Sequence, residues 1–195
     1  MSDPTSNARP GRPRDEQAGP AILAATRQLL DRHGYHDVTT ALIARQAGVG
    51  KQTLYRRWDS KPALILDALA DHARRDIDWS APPLADDDLE GFLVRVFAAV
   101  GRTGDTLRHL MAEAQSDVAF RSLLKERLIE PRRAALRAVL ERRIGADPAA
   151  LTAAVAAIYG ALWYRLMMDE PLDAAFAGDL ARLVPGRLSA ASAAP

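Results

Sequence analysis

The stretch that decides the fold is Thr39-Thr40-Ala41-Leu42-Ile43-Ala44-Arg45-Gln46-Ala47-Gly48-Val49-Gly50-Lys51-Gln52-Thr53-Leu54-Tyr55-Arg56-Arg57-Trp58. A threonine in Val38-Thr39-Thr40 can cap a short helix carrying Ala41, Leu42, Ile43, Ala44 and Ala47, because its hydroxyl accepts from an unpaired N–H of the first turn. Gly48 stops that helix, and Gly48-Val49-Gly50 turns the chain. In the second short helix, Leu54 and Trp58 fall four apart on one face, with Lys51, Thr53, Tyr55 and Arg56 spread over the others. Helix, tight turn and helix is the layout of a helix-turn-helix.

Such a second helix is small enough to lie in a major groove while Leu42, Ile43, Leu54 and Trp58 pin it to the body. The outward residue types suit that task. Lys51, Arg56 and Arg57 can neutralise phosphates or reach guanine, Gln52 can address adenine, and the Thr53 methyl can meet thymine. Tyr55 can donate its hydroxyl to a phosphate.

Upstream, Pro20 suits the first turn of a helix whose apolar residues Ile22, Leu23, Ala25, Leu29 and Leu30 recur with helical spacing until Gly34. Residues 1–19 are polar, with Pro4, Pro10, Pro13, Gly11 and Gly19, and read as a flexible arm bearing Arg9, Arg12 and Arg14. Downstream, Asp59 or Ser60 caps a helix that begins near Lys61-Pro62 and carries Leu64, Ile65, Ala68 and Leu69. Ala81-Pro82-Pro83-Leu84 is a breaker and the expected boundary between two units, 20–80 and 81–188.

In the second unit, Asp86-Asp87-Asp88 precedes Phe92, Leu93, Val96, Phe97 and Val100, where a helix N-terminus favours negative charge over any metal role. Gly101 and Gly104 are expected to break the chain before a helix with Leu107, Leu110 and Met111. The run Val118–Ile144 contains Pro131, which should kink or split it. Its Arg132, Arg133, Arg137, Arg142 and Arg143 alternate with Leu136, Val139 and Leu140 and read as a solvated face rather than a nucleic-acid stripe. Asp147-Pro148 opens a long helix with the stripe Leu151, Ala154, Val155, Ile158, Leu162 and Leu166 and a small face of Ala153, Ala157 and Gly160, so burial on more than one side is expected. After Glu170-Pro171, a shorter segment with Leu172, Phe176, Leu180 and Leu183 leads to a loose tail, 189–195. No strand-like alternation appears. The expected class is all-α, with about nine helices.

Composition narrows the functional classes. The 195 residues are 48% hydrophobic, enough for a sizeable core. The net charge is only +1, but residues 1–60 hold nine basic and six acidic side chains against 17 and 19 in the remainder, so a polyanion would meet the N-terminal part. There is no cysteine, which removes thiolate zinc sites and cysteine nucleophiles. His33, His36, His72 and His109 are the four histidines; none sits in a zinc-helix pattern, and neither a phosphate loop nor a serine elbow is present, so catalysis is not expected. No cofactor is expected. His109, Glu113 and Asp117 share a helical face that reads as ion-paired or exposed, with a metal or a polar ligand anchor as the alternative. The N-terminus lacks an apolar signal core, and the longest uncharged stretch, 148–164, is short of a bilayer span, so a cytoplasmic protein is expected.

The sequence resembles the tetracycline-repressor (TetR) family of bacterial transcriptional regulators. The resemblance rests on Gly34-Tyr35, Val38-Thr39-Thr40, Ile43-Ala44, Ala47-Gly48-Val49, Lys51, Thr53-Leu54-Tyr55, Trp58 and Ser60-Lys61-Pro62-Ala63-Leu64, across about residues 18–75. It implies that Lys51, Gln52, Thr53, Tyr55 and Arg56 lie in the DNA-reading helix, that Lys61 binds phosphate, and that Thr40 caps its helix and touches the DNA backbone. Trp58 stands where phenylalanine is usual, and Gln52 and Arg56 occupy variable positions, so the operator cannot be carried over. Arg9-Pro10-Gly11-Arg12-Pro13-Arg14 resembles the family's lead-in, with Arg12 and Arg14 either in a narrow minor groove or in a solvated tail.

The second unit is similar to the family's effector and dimerisation domain in the order and lengths of its helices, and Ile158–Leu166 with Glu170-Pro171-Leu172 resembles a recurring segment of one branch. This implies a homodimer joined through helices at about 148–168 and 173–184, with Leu151, Ala153, Val155, Ala157, Ile158, Gly160, Phe176 and Leu180 at the interface or, alternatively, packed within the chain. It also implies a pocket for a small effector. Phe92, Val96, Phe97, Leu110, Met111, Phe120, Tyr159, Trp163 and Met167 are the candidate lining, and their aromatic and methionine content suits an apolar molecule. The expected function is a ligand-responsive regulator, a repressor by family habit, that binds palindromic duplex DNA. The alternative is a DNA-binding regulator without a small effector.

Overall fold

The computed structural model describes residues 14–76 and 88–184, and all regular structure among them is helical. The elements are α1 (Arg14–Asp37), α2 (Thr40–Gln46), α3 (Lys51–Tyr55), α4 (Lys61–Asp76), α5 (Leu89–Ser116), α6 (Val118–Leu124), a π-helical turn (Lys125–Ile129), α7 (Glu130–Ile144), α8 (Pro148–Met167) and α9 (Ala174–Leu183). The all-α class is as expected.

Two apolar clusters hold these helices together. The first joins Ile22, Leu29, Ile43, Leu54, Trp58, Leu64 and Ile65 of α1–α4 and the α3–α4 link to Leu107, Leu110, Phe120, Leu124, Leu128 and Leu166. The core beneath the helix-turn-helix therefore continues into α5, α6 and the π turn. The second joins Leu89, Phe92, Leu93, Val96 and Phe97 to Leu136, Val139, Leu140, Leu151, Val155, Ile158, Leu162, Ala177 and Leu180. Val100, Trp163 and Leu172 pack against both clusters and form the seam between them.

The caps follow the side chains. Ser60 Oγ accepts from Ala63 N at 3.3 Å, Asp88 from Gly91 N at 2.7 Å, Asp147 from Ala149 N at 3.1 Å and Asp173 from Phe176 N at 2.9 Å. The acid nearest α5 in the triplet is thus a helix cap. At Pro131, the run from Val118 splits as expected. Proline has no N–H for the carbonyl of Arg127, and the chain widens into the π turn before α7 resumes.

Three expectations are corrected. α1 starts at Arg14 rather than Pro20, so part of the expected flexible arm is helical; Ala18 is buried, and Gly19 lies against the Arg57 guanidinium, 3.5 Å from where a Cβ would stand. α5 runs unbroken through Gly101 and Gly104. A Cβ on Gly104 would come within 2.9 Å of Leu166 Cδ1, so this glycine serves close helix packing rather than chain breaking. α8 is buried on one side only: Leu151, Val155, Ile158, Leu162 and Leu166 face inward, while Thr152, Ala153, Ala156, Ala157, Gly160, Tyr164 and Met167 are exposed. By length and composition α8 is also apolar enough to span a membrane, which the count of uncharged residues did not anticipate. The expected boundary at 81–84, the tail 189–195 and residues 1–13 of the arm, Arg12 included, lie outside the described residues.

Candidate nucleic-acid interface

The turn between α2 and α3 is built from backbone bonds. Gly48 N donates to Arg45 O at 3.2 Å and Val49 N to Ala44 O at 3.0 Å, the paired bonds of a Schellman ending. That ending needs a left-handed residue, and Gly48 has φ 66°. Gly50 then opens α3, with Thr53 N donating to Gly50 O at 3.0 Å.

At 0% and 7% exposure, Leu54 and Trp58 anchor this five-residue helix, which is too short to stand alone. Anchoring one face fixes the other. Lys51, Gln52, Tyr55, Arg56 and Arg57 are exposed, Tyr55 at 51%, and Thr53 is half-buried. Arg45, at the end of α2, is exposed beside this cationic surface and was not singled out from sequence, because one arginine in a short helix carries no pattern. α2 and α3 contain no acidic residue, so the face has a single sign.

Tyr55 is held in place. Its hydroxyl and Thr40 Oγ1 share a hydrogen bond of 2.9 Å, tying α3 to the start of α2. The capping role expected of Thr40 falls instead to Thr39, whose Oγ1 accepts from Leu42 N at 3.2 Å. The reason is register: Thr39 is the extended residue before the first turn, and Thr40 is already inside it.

Lys61 opens α4, but its ammonium is not simply turned to solvent. Nζ donates to Tyr35 O at 2.6 Å and lies 4.4 Å from the centroid of the Tyr35 ring. Burial lowers its pKa, opposed by the charge of Asp37. Two further donors remain on an ammonium for a phosphate oxygen.

Trp58 reaches deeper. Its indole Nε1 donates to Asp67 Oδ2 at 2.8 Å, and Asp67 Oδ1 accepts from Arg127 Nη1 at 2.6 Å, so one carboxylate joins the end of the helix-turn-helix to the π turn. A buried indole requires an acceptor, and that requirement was the signal for this link. Arg14 is the first residue of α1.

The other expected groups are dispersed. Phe92, Val96 and Phe97 belong to the second cluster, Leu110 and Phe120 to the first; Met111 packs on the first, Tyr159 on the second and Trp163 on both. Met167 is 41% exposed and faces away from both clusters, since it falls on the outer side of α8. A cleft of about 280 Å³ lies elsewhere, lined by Gly101, Arg102, Gly104, Asp105, Arg108, Leu166, Asp169, Glu170 and Leu172. Leu151, Val155, Ile158 and Leu180 have 0–6% exposure inside one protomer, so as packed they belong to its own core. Phe176 is half-buried, stacked on Phe97 at 5.6 Å; Ala153, Ala157 and Gly160 stay exposed.

His109, Glu113 and Asp117 do not converge: His109 pairs with Asp105 at 3.5 Å, and Asp117 caps α6. Among the described residues, no group of three or more metal-ligating side chains is placed to hold an ion. Arg132 donates to Leu128 O at 2.7 Å, Arg143 to Val184 O at 2.6 Å, and Arg137 pairs with Glu141 at 3.2 Å. The α7 arginines thus serve helix ends and ion pairs rather than a nucleic-acid stripe.

An exposed cationic reading helix on a three-helix base, joined to a larger helical unit, defines a helix-turn-helix DNA-binding regulator. Residues 22–68 match the model of bacterial regulatory proteins of the tetR family, and residues 85–184 match the tetracyclin repressor-like C-terminal domain. The chain belongs to the TetR family of DNA-binding transcriptional regulators. It is 30% identical over 171 residues to the uncharacterised HTH-type transcriptional regulator YdeS of Bacillus subtilis, covering 84% of this chain and 86% of that one. It is 28% identical to the DNA-binding transcriptional repressor TetR of Mycobacteroides abscessus, with 86% and 91% covered. The crystal structure of the TetR family regulator SCO0332 superposes with a TM-score of 0.67 at 28% identity, over 85% of this chain and 94% of that one.

Proposed function

We propose that this regulator binds a palindromic operator as a homodimer, represses by occupying it, and is released by a small apolar molecule. Lys51, Gln52, Thr53, Tyr55 and Arg56 would read the major groove, Thr40 and Lys61 would hold phosphates, and Arg12 and Arg14 would follow the minor groove. The observation that carries the reading is the division of α3 and the link after it: Leu54 and Trp58 are buried, and Gln52 and Tyr55 are turned outward.

Dimerisation is supported by the outer face of α8, where Ala153, Ala157 and Gly160 permit close approach and Tyr164 and Met167 are exposed at 61% and 41%. A twofold mate would set two α3 helices about one DNA turn, ~34 Å, apart. An apolar effector is supported by the seam at Val100, Trp163 and Leu172, where an inserted molecule would shift the 81–188 unit against the core beneath residues 20–80. The close packing of eight of the nine candidate lining residues into two clusters, all but Met167, favours the second reading, a regulator without a small effector.

The test is selection of duplexes from a randomised pool by the purified protein, followed by titration of the recovered duplex. A palindromic consensus, bound by the native chain and lost in Lys51→Ala/Tyr55→Ala while the dimer persists in sedimentation, is the expected result. A pool with no enrichment defeats the reading. Apolar probes that quench Trp163 and weaken the complex would separate the gated from the ungated form.

A further inference from the structure

One side-chain cluster bridges the two halves of the molecule beside Lys61. Gly34, at φ 72° and ψ 178°, breaks α1, and the turn beyond it presents Tyr35 and His36 to α5. The Tyr35 and His109 rings stack with centroids 4.6 Å apart and planes 21° apart. His36 meets His109 edge-on at 4.2 Å and Tyr35 edge-on at 5.9 Å. From α5, Asp105 Oδ1 lies 3.5 Å from His109 Nε2, and Oδ2 lies 3.9 Å from where a Cβ on Gly34 would stand. From α4, Lys61 bonds the carbonyl of Tyr35 and lies over its ring.

We infer that Tyr35, His36 and His109 form a positioning device for Lys61 that makes DNA binding proton-linked. The inference rests on the reading of Lys61 as a phosphate contact. Its ammonium is located by Tyr35, and the Tyr35 ring is located by His109, so displacing the imidazoles displaces the cation. Imidazole is the side chain that ordinarily changes charge between pH 5 and 8.

The charged and titratable groups around the pair are Asp37 on α1, Lys61 on α4, and Asp105, Arg108 and Glu113 on α5, with the Tyr35 phenol between them. Burial and the Glu113 charge push the Tyr35 phenol above its usual range, so it stays neutral throughout. The carboxylate of Asp105 and the face of the Tyr35 ring are the groups set directly against His109. Duplex phosphates brought to Lys61 add negative potential at this end and favour the protonated pair. The DNA-bound state then holds its proton to higher pH than the free state, and affinity rises as pH falls through that window.

The experiment uses the full chain and the duplex recovered by selection, titrated at fixed salt between pH 8 and pH 6. The native protein is expected to bind about fivefold more tightly at pH 6 than at pH 8. In His36→Phe/His109→Phe the rings remain and the protons do not, so the profile should be flat although His33 and His72 are still present. Equal tightening in native and double variant, or a flat native profile, overturns the proposal. Should the phenylalanines fail to fold, His36→Gln/His109→Gln is read by the same outcomes. A second readout needs no DNA: amide exchange at 34–37 and 105–113, corrected for its intrinsic pH dependence, should slow at pH 6 in the native protein alone. Unchanged protection there overturns the cluster's role by itself. A selection that enriches nothing counts against the DNA-binding reading, and the exchange measurement then decides the cluster.

Discussion

In the proposed complex Tyr55 would have two partners to choose between, a phosphate on the duplex and Thr40 within the fold, and its hydroxyl is already 2.9 Å from Thr40 Oγ1. That bond holds a 51%-exposed ring in one orientation before any DNA arrives, which lowers the ordering cost of binding. Tyr55→Phe keeps the ring and removes the bond. It is expected to weaken binding of the selected duplex by about 1 kcal/mol, roughly fivefold, and to leave thermal stability nearly unchanged, because the pair is exposed. An unchanged dissociation constant would show that the hydroxyl contributes nothing. Gly48 is the converse case, a residue whose effect lies in the fold. At φ 66° an added Cβ is strained although nothing stands within 4 Å of it, so Gly48→Ala should cost about 1 kcal/mol in urea unfolding. A neutral result would mean that the turn can be remade without the left-handed residue.

Gly104 sits in mid-helix where a small residue usually signals weakness, and here it lets α5 approach Leu166 of α8. Gly104→Ala gains helix propensity of about 1 kcal/mol but drives a methyl to 2.9 Å from Leu166 Cδ1. If Leu166 is rigid the overpacking wins, and a net loss of about 1–2 kcal/mol is expected; Leu166→Val in the same chain should restore the propensity gain. A stabilised single variant would show that Leu166 moves aside. This pair also marks the limit of what was legible in the sequence. Helix-period stripes, acid caps and proline marked most of the helices from α2 to α9, because each signal depends on neighbours within one turn, but they split α5 at Gly101 and Gly104, where the helix runs on. The role of Gly104, the start of α1 at Arg14 and the choice of Thr39 over Thr40 depend on what another element brings near, and no local pattern carries that. The reading face followed from the spacing of Leu54 and Trp58. The division of α8 into an apolar stripe and a small-residue face followed as well, but that the small face stays exposed in the protomer did not, since Ala153, Ala157 and Gly160 are compatible with burial or exposure. The exposed side yields its own expectation: Ala157→Glu/Gly160→Glu, two like charges on the face proposed to meet its copy, should leave the helical spectrum intact and shift the sedimenting species to a monomer. A dimer that survives both charges places the interface elsewhere.

Across the whole molecule, the reading helix and the second unit share one carboxylate. Asp67 accepts from Trp58 Nε1 at 2.8 Å and from Arg127 Nη1 at 2.6 Å, and Arg127 belongs to the π turn forced by Pro131. A π turn can relax to α-helical register by sliding one residue, which would carry Arg127 away from Asp67 and free the indole at the end of the helix-turn-helix. Strain at one end would in that case be felt at the other without any ligand in contact with either. If this is how the halves communicate, Trp58→Phe and Arg127→Gln must not be independent, although their side chains touch only through Asp67. A double-mutant cycle on the free energy of unfolding, and again on binding of the selected duplex, should return an interaction of about 0.5–3 kcal/mol in each. In an Asp67→Asn background the acceptor for Trp58 can remain, but the charge that holds Arg127 is gone, so the interaction should collapse while the Trp58→Phe cost persists. Additivity of the two substitutions in both measurements would mean that the carboxylate serves two local bonds and transmits nothing, leaving the shared apolar core around Leu110, Phe120 and Leu128 and the Tyr35–His109 stack to join the halves.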